Sequence, residues 1–161
     1  MSVVVLELEG KYEMEPALEI KNPKPGIKFD YYEGIWENLP AFNLLSPKHS
    51  GIIEQFVLPK ETTEENFAVQ YSGYIKVSVE GLYTFYVNSD DGADITIDKT
   101  IVVDNDGRHA PQELSGVLML RPGFHEIKVT FFQAGGGKML DISLEGPGLS
   151  KRIIPADMLF H

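Results

Sequence analysis

The sequence predicts an all-β fold, an antiparallel β-sandwich or barrel. Short runs of the chain alternate between apolar and polar residues, which is the period of a strand with one buried face. Glycine and proline punctuate these runs, with 15 Gly and 10 Pro among 161 residues. No stretch shows the sustained 3.6-residue period of an amphipathic helix. Many short strands separated by such breaks are typical of sandwiches and barrels.

The clearest predicted strand is 81–87, in which Tyr83, Phe85 and Val87 alternate with more polar neighbours. Apolar residues also occupy alternating positions on both sides of Gly73, which predicts a long strand at 67–79. Residues 62–65 resemble a helix N-cap, but too little follows them for a helix. The other strands are predicted at 3–9, 27–33, 51–58, 94–97, 101–103, 117–120, 125–132 and 139–144.

A domain boundary is predicted near residue 26. Residues 15–26 contain three prolines and little periodicity, which indicates a linker or an extended edge segment. We therefore assign residues 1–25 to an N-terminal strand and linker from a preceding region, and residues 26–161 to one domain. The first residues lack the basic flank and the cleavage site of a signal peptide. We expect the sequence to be a piece of a longer protein, with its targeting signal upstream.

Composition excludes several classes of function. The net charge of −10 and the absence of a basic cluster argue against nucleic acid as a partner. No apolar run approaches the roughly 20 residues that span a bilayer, so membrane insertion is not expected. The chain has no cysteine, which excludes disulfides, thiolate nucleophiles and cysteine-based zinc sites. Excess carboxylate suits an extracellular surface or a cation site equally well.

Catalysis is not expected. The motifs of serine hydrolases, phosphate loops and zinc proteases are absent. Paired acids could serve glycoside hydrolysis, but the adjacent acids of this chain, at 90 and 91, would point to opposite faces of a strand. The histidines occur in unrelated contexts and are each interpreted as structural, and one of them alternates with apolar residues on a core-side face; they are His49, His109, His125 and His161.

The most informative stretch is Asn88–Gly92, which places Asp90 and Asp91 side by side where a predicted strand ends. Calcium takes roughly 6 to 8 oxygen ligands from carboxylates, carbonyls and water. The EF-hand pattern does not fit, so a calcium site here would be of another kind. An ordinary turn is the alternative, because Asp, Asn and Gly are common turn residues, and composition alone favours it. Further carboxylates in the same span are Asp94, Asp98, Asp104 and Asp106.

A second candidate is the loop 133–137, where Gln133 is followed closely by three consecutive glycines, Gly135, Gly136 and Gly137. Glycines after a strand leave the backbone bare and conformationally free. The loop is therefore either a flexible hairpin connection or a ligand loop that approaches a bound molecule.

Taken together and in order, these motifs resemble the anthrax protective-antigen-like domain, the PA-fourteen family. The resemblance covers about residues 26–161 and implies a jelly-roll-type β-sandwich of antiparallel strands. Such domains are appended to or inserted in glycosidases, adhesins and toxins. The segments that carry the resemblance are Gly26–Gly34, Phe85–Gly92, Ile95–Asp98, Val102–His109, Pro122–His125, Phe131–Gly136, Glu145–Pro147 and Ile154–Phe160.

The resemblance also implies a site. In sugar-binding members two adjacent aspartates, matching Asp90 and Asp91, hold calcium across a cis peptide that lets both carboxylates converge. The loop 133–137 then completes the coordination, with Gln133 as the candidate side-chain amide and the glycines supplying backbone. Vicinal sugar hydroxyls would occupy the open positions of the ion. We expect the Asp90–Asp91 peptide to be cis and both carboxylates to face the loop.

The expected function is a non-catalytic, calcium-dependent carbohydrate-binding module from a secreted or surface bacterial protein. Its partners would be a glycan and the other domains of a parent such as a glycoside hydrolase, located extracellularly, at the cell surface or in the periplasm. Two alternatives remain: a structural or protein-interaction module without ligand, and a domain that shapes a neighbouring glycosidase active site. Trp36 and Tyr32 are candidates for stacking on sugar, although a support role is favoured for Trp36. Lys99 departs from the glycine expected in its hairpin turn.

Overall fold

A computed structural model describes residues 14–161 and shows two β-sheets packed as a sandwich. The strand predicted at 3–9 lies outside the described residues. Short 3-10 turns occur at Phe42–Leu44 and Ala156–Met158. The strands are β1 Met14–Glu15, β2 Ile27–Glu33, β3 His49–Ile53, β4 Phe67–Val77, β5 Gly81–Asp90, β6 Ala93–Ile97, β7 Thr100–Asn105, β8 Gln112–Leu120, β9 Gly123–Gln133, β10 Met139–Gly146, β11 Leu149–Ile153 and β12 Leu159–Phe160.

The two sheets confirm the predicted all-β sandwich. One sheet has five strands in the order β1-β8-β5-β10-β11, and the other has the order β3-β2-β4-β9-β6-β7, with β12 also paired to β4. Among the strands of residues 14–161, all pairs are antiparallel except β1 with β8. Strands β5 and β6 follow one another in the chain but lie in different sheets. The short connection between them, at residues 91–92, therefore crosses from one layer of the sandwich to the other.

The core lies between the sheets and follows the predicted alternation. In β5, Tyr83, Phe85 and Val87 are buried, while Leu82 and Thr84 are exposed or half-buried. The facing sheet supplies buried residues at every second position of β4 and β9, the period of strands with one apolar face. Within residues 14–161, no helix is long and apolar enough to cross a membrane.

The proline-rich segment before residue 26 is an extended edge segment, one of its two predicted interpretations. Strand β1 pairs in parallel with the end of β8. Leu18 N donates to Phe124 O at 2.8 Å. Lys24 and His161 exchange two backbone hydrogen bonds, each of 2.9 Å. Proline suits such a position because an edge strand leaves some of its N–H positions unpaired.

Strands β8 and β11 depart from the prediction for the same reason. Strand β8 begins at Gln112, not at 117, and its first four residues are exposed. Strand β11 was not predicted, and four of its five residues are exposed. A strand that is solvated on both faces has no apolar period, so only its backbone pairing reveals it. Strand β3 also ends at Ile53, earlier than the predicted 58.

The hairpin turn between β6 and β7 contains the lysine that departs from the family pattern. Asp98 has φ of 45° and Lys99 has φ of 69°, so both occupy the left-handed region. This conformation costs a side-chain-bearing residue roughly 1–2 kcal/mol.

We expect Lys99→Gly to raise the free energy of unfolding by about 0.5–1 kcal/mol, because the relief of this strain exceeds the entropy that glycine adds to the unfolded chain. Urea denaturation measures this, and Lys99→Ala is the control because it keeps the strain; an equal gain in Lys99→Ala would attribute the effect to charge.

His125 is a buried structural histidine, as predicted from its alternation with apolar residues. Its Nδ1 lies 2.6 Å from Asp98 Oδ2, and its Nε2 lies 2.7 Å from the carbonyl oxygen of Arg121. Both partners can only accept, so the ring satisfies both contacts as an imidazolium. Burial alone would lower the pKa of His125, but the hydrogen bonds to Asp98 and Arg121 outweigh it and the pKa is raised.

This raised pKa predicts the sign of a pH effect. The stabilisation by His125 is complete below the pKa of an unfolded histidine, about 6.5, and is lost as the pH rises through the higher folded value. We expect His125→Asn to cost roughly 1–3 kcal/mol at about pH 6 and less at about pH 9. Urea denaturation of the wild type and of His125→Asn across this pH range measures the difference in their free energies of unfolding. The contributions of the other titrating groups cancel in this difference. A penalty that grows with pH would contradict the assignment.

Candidate functional site

The two adjacent aspartates lie at the crossing between the sheets. Asp90 is the last residue of β5, Asp91 forms the bend that follows, and their peptide bond is cis, as expected from the family resemblance. Asp90 is 7% exposed and Asp91 is 3% exposed. Asp90 pairs with Met139 at the start of β10, directly after the glycine loop. The strands therefore bring the aspartate pair and the loop 133–137 to the same end of the sandwich.

Both carboxylates contact this loop. Asp91 Oδ2 accepts hydrogen bonds from Ala134 N at 2.8 Å and from Gly135 N at 3.4 Å. A Cβ on Gly137 would lie 2.7 Å from Asp90 Oδ2, so this position requires glycine unless Asp90 moves. Gly136 has φ of +78°, and a Cβ there would meet no atom within 4 Å. The predicted approach of the aspartates to the loop is confirmed.

Gln133 carries an unsatisfied oxygen. The side chain is 1% exposed, and its Nε2 donates to Gly137 O at 2.9 Å and lies 3.5 Å from Gly136 O. Because carbonyl oxygens only accept, the amide nitrogen must face them. Oε1 is left buried with no hydrogen-bond partner among the described residues. An unpaired buried acceptor costs about 1–3 kcal/mol, so the amide oxygen fits a site that receives a cation or a donor.

The electrostatics of the pair also fit a cation. Burial, and next the charge of Asp91, raise the pKa of Asp90 above its ordinary value, while His109 partly opposes the shift. Burial lowers the pKa of His109, but its hydrogen bonds to Asn105 O and Ala110 O and the charges of Asp91 and Asp90 raise it overall. The negative charge of Asp90 is thus under-compensated by the protein alone, and a bound cation would relieve this.

Asn105 supports the end of β5 that precedes the aspartates, a role that was not predicted. Its side chain is buried, and Nδ2 donates to Gln112 O at 2.9 Å and to Ser89 Oγ at 3.2 Å. It also contacts Val87 O at 3.4 Å. Asn105 belongs to β7, and the other residues belong to β5 and β8, so one side chain joins the two sheets beside the aspartates. The family motif Val102–His109 contains Asn105 and was the signal available in the sequence.

The other aspartates of this region do not join the pair. Asp98 bonds to His125, and Asp94 accepts a hydrogen bond from the hydroxyl of Thr130. Asp104 and Asp106 are exposed. Within residues 14–161, no group of three or more acidic or histidine side chains could hold a metal ion. An ion at Asp90 and Asp91 would therefore need amide and carbonyl oxygens as well.

The aromatic candidates for sugar stacking pack against the protein instead. Tyr32 is 5% exposed, within a small cluster with Ala68 and Phe132, so its ring is covered and cannot stack on a ligand. Trp36 is half-buried against the same cluster, and its ring occupies the space where a Cβ on Gly34 would lie. The support role favoured for Trp36 agrees with this packing, and the stacking hypothesis for Tyr32 is wrong.

The atoms available as ligands for a metal ion are thus all oxygen atoms. They comprise the carboxylates of Asp90 and Asp91, the orphaned Oε1 of Gln133 and carbonyls of the glycine loop. Hard divalent cations prefer such oxygen ligands, and the flexible geometry of Ca²⁺ suits a site assembled from a loop. The residues present fit calcium.

Comparison with known proteins identifies the family. A model of the PA14 domain matches residues 55–158. No curated protein matches the chain. Among solved structures, the PA14 sugar-binding domain of an RTX adhesin aligns with a TM-score of 0.71 at 18% identity, covering 85% of this chain and 98% of that one. The epithelial adhesin 9 A domain from Candida glabrata, in complex with Galβ1-3GlcNAc, aligns with a TM-score of 0.70 at 12% identity, covering 92% and 95%.

A third neighbour is an anti-sigma factor domain-containing protein from Clostridium clariflavum. It has a TM-score of 0.70 and 24% identity, and the alignment covers 92% of this chain and 53% of that one. The chain therefore spans about half the length of this relative, and another protein of the same description is covered to 50%. These likenesses establish the fold. Together with the family match over 55–158, they show that the chain belongs to the PA14 domain family.

Proposed function

We propose that the chain is a calcium-dependent carbohydrate-binding module of an extracellular or cell-surface protein, and that it has no catalytic role of its own. The observation that carries the proposal is that the buried carboxylates of Asp90 and Asp91 lie against the loop that begins with Gln133, whose Oε1 is buried and unpaired. The bare backbone of the glycine loop lies directly beside them.

Each residue has a distinct task. Asp90 and Asp91 hold the ion, and Gln133 contributes its amide oxygen while its Nε2 keeps the loop carbonyls in place. Asp91 also anchors the loop through the N–H groups of Ala134 and Gly135. When bound, calcium supplies open coordination positions to which two vicinal sugar hydroxyls bind. The absence of a side chain at Gly135, Gly136 and Gly137 leaves room for a sugar ring to approach.

The structural neighbours support the carbohydrate part of the proposal. The adhesin domains that share this fold include one described as sugar-binding and others solved with Galβ1-3GlcNAc, Galβ1-4GlcNAc and β-lactose. Adhesins act at surfaces, which supports an extracellular or cell-surface location. We further propose a bacterial carbohydrate-active parent, for which the chain would target a glycan.

A glycan array with calcium and with a chelator tests the function. We expect bound glycans in calcium, loss of the signal in chelator, and loss in Asp90→Asn or Gln133→Leu. The matched control is Asp141→Asn, an exposed aspartate on the neighbouring β10 that should bind like the wild type.

Binding that persists in chelator and in Asp90→Asn would sink the calcium-dependent mechanism while keeping a sugar-binding module. An array without any signal, for a folded protein in calcium, would instead favour the structural or protein-interaction module.

A further inference from the structure

A groove of about 520 Å³ lies on the outer face of the seven-stranded sheet, apart from the aspartate pair and the glycine loop. Its floor is formed by outward-facing residues of β4, β6 and β9, and one wall is the segment 39–43. Proteins bind small ligands in concave sites of roughly 300–1,000 Å³, so this groove has room for a sugar unit or two.

The wall of the groove is held in place. Leu39 N donates to Asp106 Oδ1 at 2.7 Å, which ties the segment to the loop after β7. The ring of Phe42 packs edge-on against Tyr32, with 5.3 Å between centroids. The groove is therefore built by defined contacts, and the apolar side of the wall, with Pro40 and Phe42, faces a polar floor.

The floor contains an under-satisfied carboxylate. Asp94 is half-buried, and the hydroxyl of Thr130, itself 5% exposed, donates to its Oδ1. No other side-chain or backbone donor among the described residues contacts the Asp94 carboxylate. Burial raises the pKa of Asp94, and the hydrogen bond from Thr130 opposes this only in part. A ligand hydroxyl that donates a hydrogen bond to the second oxygen of Asp94 would replace the hydrogen bonds with water that the carboxylate loses on burial.

The neighbouring floor residues have the chemistry that recognises hydroxyl groups. Gln70, Thr96 and Lys128 line the groove beside Asp94 and offer donors and acceptors. Two cations and two anions line the groove, so their formal charges cancel: Lys99, Lys128, Asp94 and Glu126. A neutral ligand is favoured because neither sign of charge dominates. Polar hydrogen-bonding groups opposite an apolar wall match a pyranose, which has hydroxyls at its edge and C–H groups on its face.

We propose that this groove is a second carbohydrate site, which binds a neutral sugar unit without calcium. The Asp94 carboxylate accepts hydrogen bonds from the sugar hydroxyls, and the Thr96 hydroxyl donates to them. Phe42 and Pro40 contact the apolar face of the sugar. The site is separate from Asp90 and Asp91, so it does not depend on the calcium proposal. On a longer glycan the two sites would engage different units and raise the overall avidity.

The test is an amide NMR titration of the labelled 161-residue chain in the presence of a chelator, which removes calcium-dependent binding. The probes are lactose, maltose, cellobiose and chitobiose, each at about 10 mM, a concentration that saturates a millimolar site. Galacturonic acid is the anionic comparison. We expect at least one neutral disaccharide to shift the amide signals of Asp94, Thr96 and Thr130, with those of Ala134–Gly137 unchanged.

Two variants make the result specific to the groove. Asp94→Asn should weaken binding about tenfold, the size of one hydrogen bond to a charged group. Asp104→Asn is the matched control, because Asp104 is the exposed cross-strand partner of Asp94 and does not line the groove. The proposal is overturned if no neutral sugar shifts the groove amides, if only galacturonic acid does so, or if both variants lose binding equally. None of these outcomes bears on calcium-dependent binding at Asp90 and Asp91.

Discussion

Calcium is expected to raise the melting temperature of the wild-type chain by roughly 5–10 °C when its concentration is about 100 times the dissociation constant. A ligand that binds only the native state adds about 2.7 kcal/mol at this ratio. For a domain of this size, 1 kcal/mol corresponds to about 2–4 °C. The physical source is the neutralisation of two crowded, buried carboxylates and the satisfaction of Gln133 Oε1. Thermal denaturation monitored by circular dichroism at increasing calcium measures the shift.

Variants of the pair separate specific from general effects of the cation. Asp90→Asn should abolish the shift, and the calcium-free variant should melt at or above the temperature of the calcium-free wild type, because one member of a like-charge pair is removed. Asp141→Asn should keep the full shift. If all three proteins gained the same stability from millimolar calcium, the effect would be general screening of a chain with net charge −10, and the site assignment would fail.

Among the glycines that the structure describes, Gly116 is expected to be the one at which alanine is most destabilising, with a loss of roughly 2–4 kcal/mol. Gly116 lies in β8 of the five-stranded sheet, and a Cβ there would be 1.9 Å from Val102 O and 2.8 Å from Val102 C of β7. These are backbone atoms, so no side-chain rotation can relieve the overlap. The contact is where the edge of one sheet meets the other, and strand β7 would have to move away.

Urea denaturation of Gly116→Ala against Ser115→Ala measures this cost. Ser115 is the preceding residue, is exposed, and should tolerate alanine within about 0.5 kcal/mol. Equal stability of the two variants would mean that β7 and β8 separate easily, contrary to the close approach of their backbones.

The parts of the fold that could be predicted are those in which local pattern and burial agree. Strand β2 was predicted to the residue, and β5 and β9 to within three residues at each end, because much of each strand alternates between buried and less buried positions. The first half of β8 and all of β11 could not be, since their residues are exposed and only pairing with distant strands makes them regular.

The candidate site likewise divides into residues that could be predicted from the sequence and residues that could not. Asp90, Asp91 and the glycine loop were placed together through the family resemblance, because the spacing of its motifs carries tertiary information that composition lacks. The roles of Asn105 and His109 depend on hydrogen bonds that span the two sheets or close on backbone carbonyls. The groove around Asp94 depends on a loop folding over a distant sheet face. Local sequence encodes neither kind of contact.

The three glycines of the loop differ in how well they would tolerate a side chain, and this matters for protein engineering. Position 137 is closed by Asp90 and position 135 is bordered by Glu65, whereas position 136 opens into solvent with a left-handed backbone. Asparagine, which adopts that conformation more readily than other residues, is the natural first replacement there. A library that seeks new glycan selectivity would therefore diversify residue 136 and insert residues beside it, leaving its two neighbours as glycine. The scaffold would then carry altered recognition without disturbing the carboxylates beneath it.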